Sequence, residues 1–242
     1  MDPILVVLLF ASLAAVVGGL GGLPLGARQT PPAARLGWAN AVAGGTMLGA
    51  AYMLTSVEAG SPAATAAGAA LGILFIHGTH RAMGTADLDL NRLDSADPVY
   101  AYRVLLVNSL HAASEGVAIG VAMRVDLAFG ILLALALALH NIPEAMALAA
   151  VLRGGGAGAG AAAGLAVVAN VNQILLAVAT FAVASAAPGF LPWALGFAVG
   201  ALAHLVMAEL FAQAYRQTGQ TSIAVAAVAA LGMVVLAQEL IR

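Results

Sequence analysis

The sequence predicts an all-α integral membrane protein: one polytopic domain, residues 1–242, of eight transmembrane helices in a 3+2+3 inverted-repeat bundle. Three observations predict it. First, 62% of the 242 residues are hydrophobic and 8% are charged, where a soluble domain carries about a quarter charged residues. Second, the chain divides into eight apolar stretches, each close to the ~20 residues a helix needs to cross a bilayer. Third, two faces of small residues, Ala43–Ala50 in the second stretch and Gly196–Ala203 in the seventh, are each followed by an acid, Glu58 and Glu209. The second and seventh spans run in opposite directions, as an inverted repeat around a central pair requires.

Each element is set by where the apolar runs stop. Residues 3–24 form the first span; Asp2 precedes them and no basic segment does, so the stretch reads as a span rather than a secretory signal. Pro31, Pro32 and two arginines break the chain before the second span, 37–57. Gly60-Ser61-Pro62 opens the third, 62–83, because Pro is tolerated at the first helical position. A polar linker comes next at 84–97, with Asp87, Asp89, Asp94 and Asp97. The fourth span, 98–123, turns tightly at Arg124-Val125-Asp126 into the fifth, 127–152. A glycine run leads to the sixth, 157–186. Pro188 and Pro192 mark the turn to the seventh, 191–214, and the eighth covers 221–240.

All nine basic residues are arginine. With the N-terminus non-cytoplasmic, Arg28, Arg35, Arg81, Arg92, Arg103, Arg153 and Arg216 fall on the cytoplasmic side, and Arg124 and Arg242 fall outside. This bias predicts both termini outside and a cytoplasmic acidic linker. The expected location is a bacterial inner (plasma) membrane.

The chemistry concentrates in the central pair. The fourth span carries His111 and Glu115, the fifth His140 and Glu144. A spacing of four places each His and Glu on one helix face, one turn apart. The tight turn makes the two spans antiparallel neighbours, and the two histidines lie at similar distances from it. Four ligand-type side chains therefore meet near midmembrane. Each costs roughly 2.5–3.5 kcal/mol to insert on translocation scales for acids and bases, so something must compensate them. One divalent cation, or two bridged by the carboxylates, would do so. Two imidazoles and two carboxylates suit Zn²⁺ and also Fe²⁺, Mn²⁺ and Cd²⁺. Pro143 frees the Leu139 carbonyl inside this turn. Asn108 shares the face of His111, and Asn141 adds a further oxygen. Asn172 and Gln173 on the sixth span are, with Asn108 and Asn141, secondary and weaker metal-site candidates, and His204 and Glu209 on the seventh are expected along the ion path. His77 and His80 read as interfacial residues beside Arg81. The methionines read as packing residues.

Other classes are excluded or weakened. There are no cysteines, so neither disulfides nor thiolate metal sites arise. A net charge of −2 implies no nucleic-acid partner. An intramembrane zinc protease would need His-Glu-x-x-His, and a di-iron site Glu-x-x-His pairs; neither occurs. Paired haem ligation by His111 and His140 does not account for the flanking glutamates. The protein is expected to be no enzyme and to carry no prosthetic group.

Leu139-His140-Asn141-Ile142-Pro143-Glu144 resembles the His-Asn-x-Pro-Glu-Gly signature of the ZIP (Zrt/Irt-like) metal transporters. His111 to Gly120 is similar to that family's preceding-helix signature, and Ala208-Glu209-Leu210 to an element of its seventh helix. The resemblance implies gradient-driven movement of Zn²⁺ and related cations toward the cytoplasm, a homodimer, and a binuclear site. It implies a primary site at His111, Glu115, His140 and Glu144, with Glu115, Asn141 and Glu144 serving a second. The chain departs from the pattern at Ala112, where Asn is usual, at Ala145, where Gly is usual, and at Asn172-Gln173, where Glu-Pro is common. The expectation is one tightly bound ion and a weak second site. The alternative is an intramembrane metal-binding or sensor protein of the same fold that has lost transport.

Overall fold

The structure, a computed structural model, describes residues 2–21, 33–58, 60–85, 98–219 and 221–241. The four aspartates of the linker lie outside the described residues, as do Arg28, Arg92 and Arg242. The described residues are helical and contain no strand.

Eight rods are present among the described residues. They are α1 (Pro3–Leu20), α2 (Ala33–Thr55), α3 (Pro62–Met83), α4 (Pro98–Val125) and α5 (Leu127–Gly154). The sixth rod is α6a (Ala159–Ala169) followed by α6b (Val171–Ala186). The seventh is α7a (Leu191–Leu205), a π-helical turn (Val206–Leu210) and α7b (Phe211–Thr218). The last is α8 (Ile223–Ile241). Seven of the eight are long and apolar enough to cross a membrane. The other is α2, 23 residues long, whose composition is diluted by Asn40, Thr46 and four glycines. It starts four residues before the expected position, and the expected continuous sixth helix is broken at Asn170.

Local chemistry sets several ends. Asp2 accepts a hydrogen bond from the Ile4 amide (2.9 Å), and Asp126 from the Phe129 amide (2.9 Å). These are N-caps that satisfy otherwise orphaned first-turn donors. Ser61 caps α3 in the same way ahead of Pro62. At the other end of α3, Gly84 takes a left-handed conformation (φ 65°) that ends the helix.

The neighbours are those an inverted repeat demands. α1 packs on α5 as α6b packs on α4, and α3 packs on α7a as α8 packs on α2. The second and seventh rods carry the same sequence marks: Gly45-x-x-x-Gly49 with Glu58 nine residues on, and Gly196-x-x-x-Gly200 with Glu209 nine residues on. A Cβ on Gly45 would collide with the Ala227 carbonyl of α8; one on Gly196 would collide with the Thr65 carbonyl of α3. Small residues let these backbones approach, the usual means of helix association in lipid.

The outer surface is apolar. On α8, Val225, Val228, Met233 and Leu236 are each more than 60% exposed. Such a belt belongs in hydrocarbon. Inside, one apolar cluster runs from Met53, Leu54 and Leu195 through Leu133 and Leu137 to Leu202 and Leu205. It ends where the buried polar residues begin.

Candidate metal site

His111 lies 13 residues into α4 and His140 13 residues into α5, so both sit at the middle of their rods. The antiparallel pair brings them to one level. Glu115 is fully buried and His140 is 1% exposed. His140 Nε2 stands 3.5 Å from Glu115 Oε1 and 3.5 Å from Glu144 Oε2. These separations are too long for good hydrogen bonds. They are near the ~3.3 Å between ligand atoms that tetrahedral Zn²⁺ imposes with bonds of about 2.0–2.1 Å. Neither nitrogen of His140 has a hydrogen-bond partner, nor has Glu115 Oε1. Buried polar atoms are rarely left so. The three ligand atoms lie within 4.8 Å of one another and can hold a metal ion.

The second carboxylate oxygen of Glu115 is held differently. Gln173 Nε2 donates to Glu115 Oε2 (3.2 Å), and Asn141 Nδ2 donates to Gln173 Oε1 (3.1 Å) and to the Ala14 carbonyl (3.3 Å). With the Asn141 amide turned over, it donates instead to Glu115 Oε2 at 3.1 Å and to the Leu137 carbonyl at 3.0 Å. Either way an amide N–H lies on the oxygen that a bridging second ion would need. Gln173 reaches Glu115 because Gly116 admits the α6b backbone: a Cβ there would collide with the Gln173 carbonyl. The break at Asn170 and the fresh start at Val171 put Gln173 in the first turn of α6b.

His111, expected with this triad, faces another set of partners. Its Nε2 is 3.6 Å from Glu209 Oε1, and the same oxygen is 2.5 Å from His80 Nε2. The His80 and His111 rings lie 4.9 Å apart. Their ligand atoms and that of Glu209 also fall within 4.8 Å of one another. Glu209 sits in the π-helical turn of the seventh rod; such turns recur at functional sites. His80, read from the sequence as interfacial, is 8% exposed. One signal for it was present: His77-x-x-His80 puts two imidazoles on one face at the end of a span. What the sequence lacked was the partner, 129 residues away.

Two members of each triad, His140 and Glu144 of the first and His111 and Glu209 of the second, line one cavity of about 60 Å³ together with Asn108 and Gln213. A second cavity of about 410 Å³ adjoins it, lined by His77, His80, Arg81, His204, Glu209 and Arg216. Glu209 and Gln213 line both. Asn40 donates to Gln213 Oε1 (3.3 Å) and Gln217 Oε1 (3.1 Å), tying α2 to α7b beside the passage. His204 faces this vestibule with its ring 6.1 Å from that of His77. Asn172 does not reach the site; it donates to the Ser109 hydroxyl (2.9 Å) and carbonyl (3.3 Å) and so joins α6b to α4.

No protein-family profile matches the chain. The chain is 31% identical over 229 residues, 91% of its length, to an Arabidopsis thaliana protein named "Putative zinc transporter". It spans 36% of that protein's length. This relationship is consistent with the resemblance to the ZIP family read from the sequence.

Proposed function

We propose that this integral membrane protein is a divalent-cation transporter of the ZIP type, carrying zinc foremost, through the Glu115–His140–Glu144 triad. The observation that carries the reading is that triad: three ligand atoms at ion-binding spacing at midspan, with Glu115 and His140 buried and carrying unpartnered polar atoms and Glu144 half-buried at the edge of the cavity. The zinc-transporter name of a relative over nine-tenths of this chain supports it.

The metal is substrate rather than fixture, and the ligand set suits that. Three protein ligands leave an open position for water or the next ligand, as in zinc sites that exchange. His140 supplies the nitrogen, and the two carboxylates neutralise the charge. Pro143 leaves the Leu139 carbonyl without its helical donor. The cavity continues past Glu209 and Gln213 into the larger vestibule, whereas the other side is filled by Leu133, Leu137, Leu195 and Leu202. The conformation is thus open toward the end bearing Arg35, Arg81, Arg103, Arg153 and Arg216. By the arginine bias that end is cytoplasmic, so the conformation is inward-facing; import is the direction the family resemblance implies.

The deciding experiment is uptake of Zn²⁺, Cd²⁺, Fe²⁺ and Mn²⁺ into proteoliposomes. Saturable uptake, greatest for Zn²⁺ and lost in a His140→Ala/Glu144→Ala variant, is expected. Tight binding without flux for any ion would instead establish the sensor.

A further inference from the structure

We propose that His80, His111 and Glu209 form a second divalent-cation site, in series with the first, between the inner cavity and the vestibule. Its place on a transport route rests on the proposed transport function; the binding itself does not.

Three observations carry it. The ligand atoms come from three rods, α3, α4 and the seventh at its π-helical turn, yet lie within 4.8 Å of one another. His111 is 3% exposed and its Nε2 has no hydrogen-bond partner, so a buried lone pair is directed at Glu209 with nothing to satisfy it. The separation of 3.6 Å is again the spacing between two ligands of one ion rather than a hydrogen bond. Finally, His80 is oriented from behind. Gly84 reverses the chain after α3, so that Thr85 donates its amide to the His80 carbonyl (3.0 Å) and sets its hydroxyl 3.0 Å from His80 Nδ1. That contact presents Nε2 to Glu209, the outer-shell arrangement by which ligand histidines are commonly fixed.

Two neutral imidazoles and one carboxylate are a zinc-binding set with one coordination position to spare. A bound ion would sit between His80 Nε2 and Glu209 Oε1 in place of their direct contact. The two sites differ in ligand balance: two carboxylates and one imidazole in the first, the reverse in the second. Glu209 lines both cavities and so faces both the arriving and the departing ion.

Full-length protein in detergent is titrated with Co²⁺, whose visible absorption reports coordination, and bound metal per chain is counted after gel filtration. Wild type is expected to bind two ions, His80→Ala one, His140→Ala one, and the double variant none. Thr85→Val keeps every ligand and is expected to weaken only the second ion, by about 10–100-fold; it serves if His80→Ala does not fold. A wild-type stoichiometry of one, or two ions retained in His80→Ala with unchanged affinity, overturns the proposal. Because uptake plays no part, two bound ions without flux would leave this site standing and sink the transport reading.

Discussion

At the scale of single residues, chemistry and fold meet at Glu115. One oxygen points at His140 without a hydrogen bond, and the other takes an amide N–H from Gln173. The amide satisfies a lone pair without adding charge, so the triad keeps two carboxylates, not three, around one ion. Gln173→Ala is expected to leave every ligand in place yet weaken Zn²⁺ binding by about 10–100-fold, as removal of an outer-shell partner does. Competition against a zinc-responsive dye measures it. Binding must also fall as pH falls. Zinc binds neutral imidazole and ionised carboxylate, so each ligand that is protonated in the metal-free protein must give up its proton, at a cost of up to about tenfold in affinity per pH unit on acidification. Affinity is expected to drop steadily between about pH 7.5 and 5.5, and an affinity flat over that range would mean these are not the ligands.

At the scale of elements, close helix approach positions the ligands. Gly116 is one residue from Glu115, and it is the point where α6b comes close enough for Gln173 to reach across. Gly116→Ala pushes a methyl group into the Gln173 carbonyl. Overpacking of this kind costs about 1–3 kcal/mol, and the displaced α6b also takes Gln173 off Glu115. A lower thermal midpoint in detergent together with weaker Zn²⁺ binding is expected. Gly164, in the middle of α6a, is the control: its Cβ would meet nothing within 4 Å. Gly164→Ala should therefore stabilise the protein by up to about 1 kcal/mol through helix propensity and leave binding unchanged. The π-helical turn belongs to the same scale. An extra residue in the turn rotates the downstream helix by about 100° relative to a regular one, and that offset sets Glu209 toward both His80 and His111.

At the scale of the whole molecule, the repeat places related acids at opposite ends of the fold. Glu209 sits beside the arginine-rich vestibule, and Glu58 lines a cavity of about 640 Å³ with Thr55, Ser61 and Thr65 at the other end. The apolar cluster separates that cavity from the triads. The chain contains no cysteine, so single cysteines can report sidedness without background. In sealed vesicles Ser61→Cys and Ala208→Cys are expected to react with an impermeant maleimide from opposite faces, Ala208→Cys from the cytoplasmic one. Labelling of both from the same face would sink the eight-span topology.

The class of protein, the number of rods, and the central pair with its four ligand-type residues were all legible in the amino-acid order. They rest on local signals: apolar run length, proline and glycine breaks, and a spacing of four that fixes helix face. Even the repeat was legible, in two glycine pairs each followed by a glutamate. How the ligands group was decided by tertiary packing alone. His111 and Glu115 share a helix face, yet His111 joins His80 and Glu209 while Glu115 joins His140 and Glu144. Likewise Asn172 and Gln173 are adjacent in sequence, but one ties helices together and the other holds Glu115. Periodicity fixes the direction of a side chain around its own helix and says nothing about which neighbour stands there. That depends on backbone approach at Gly116, the break at Asn170 and the π-helical turn at Glu209, and these are fixed by packing between rods distant in the chain.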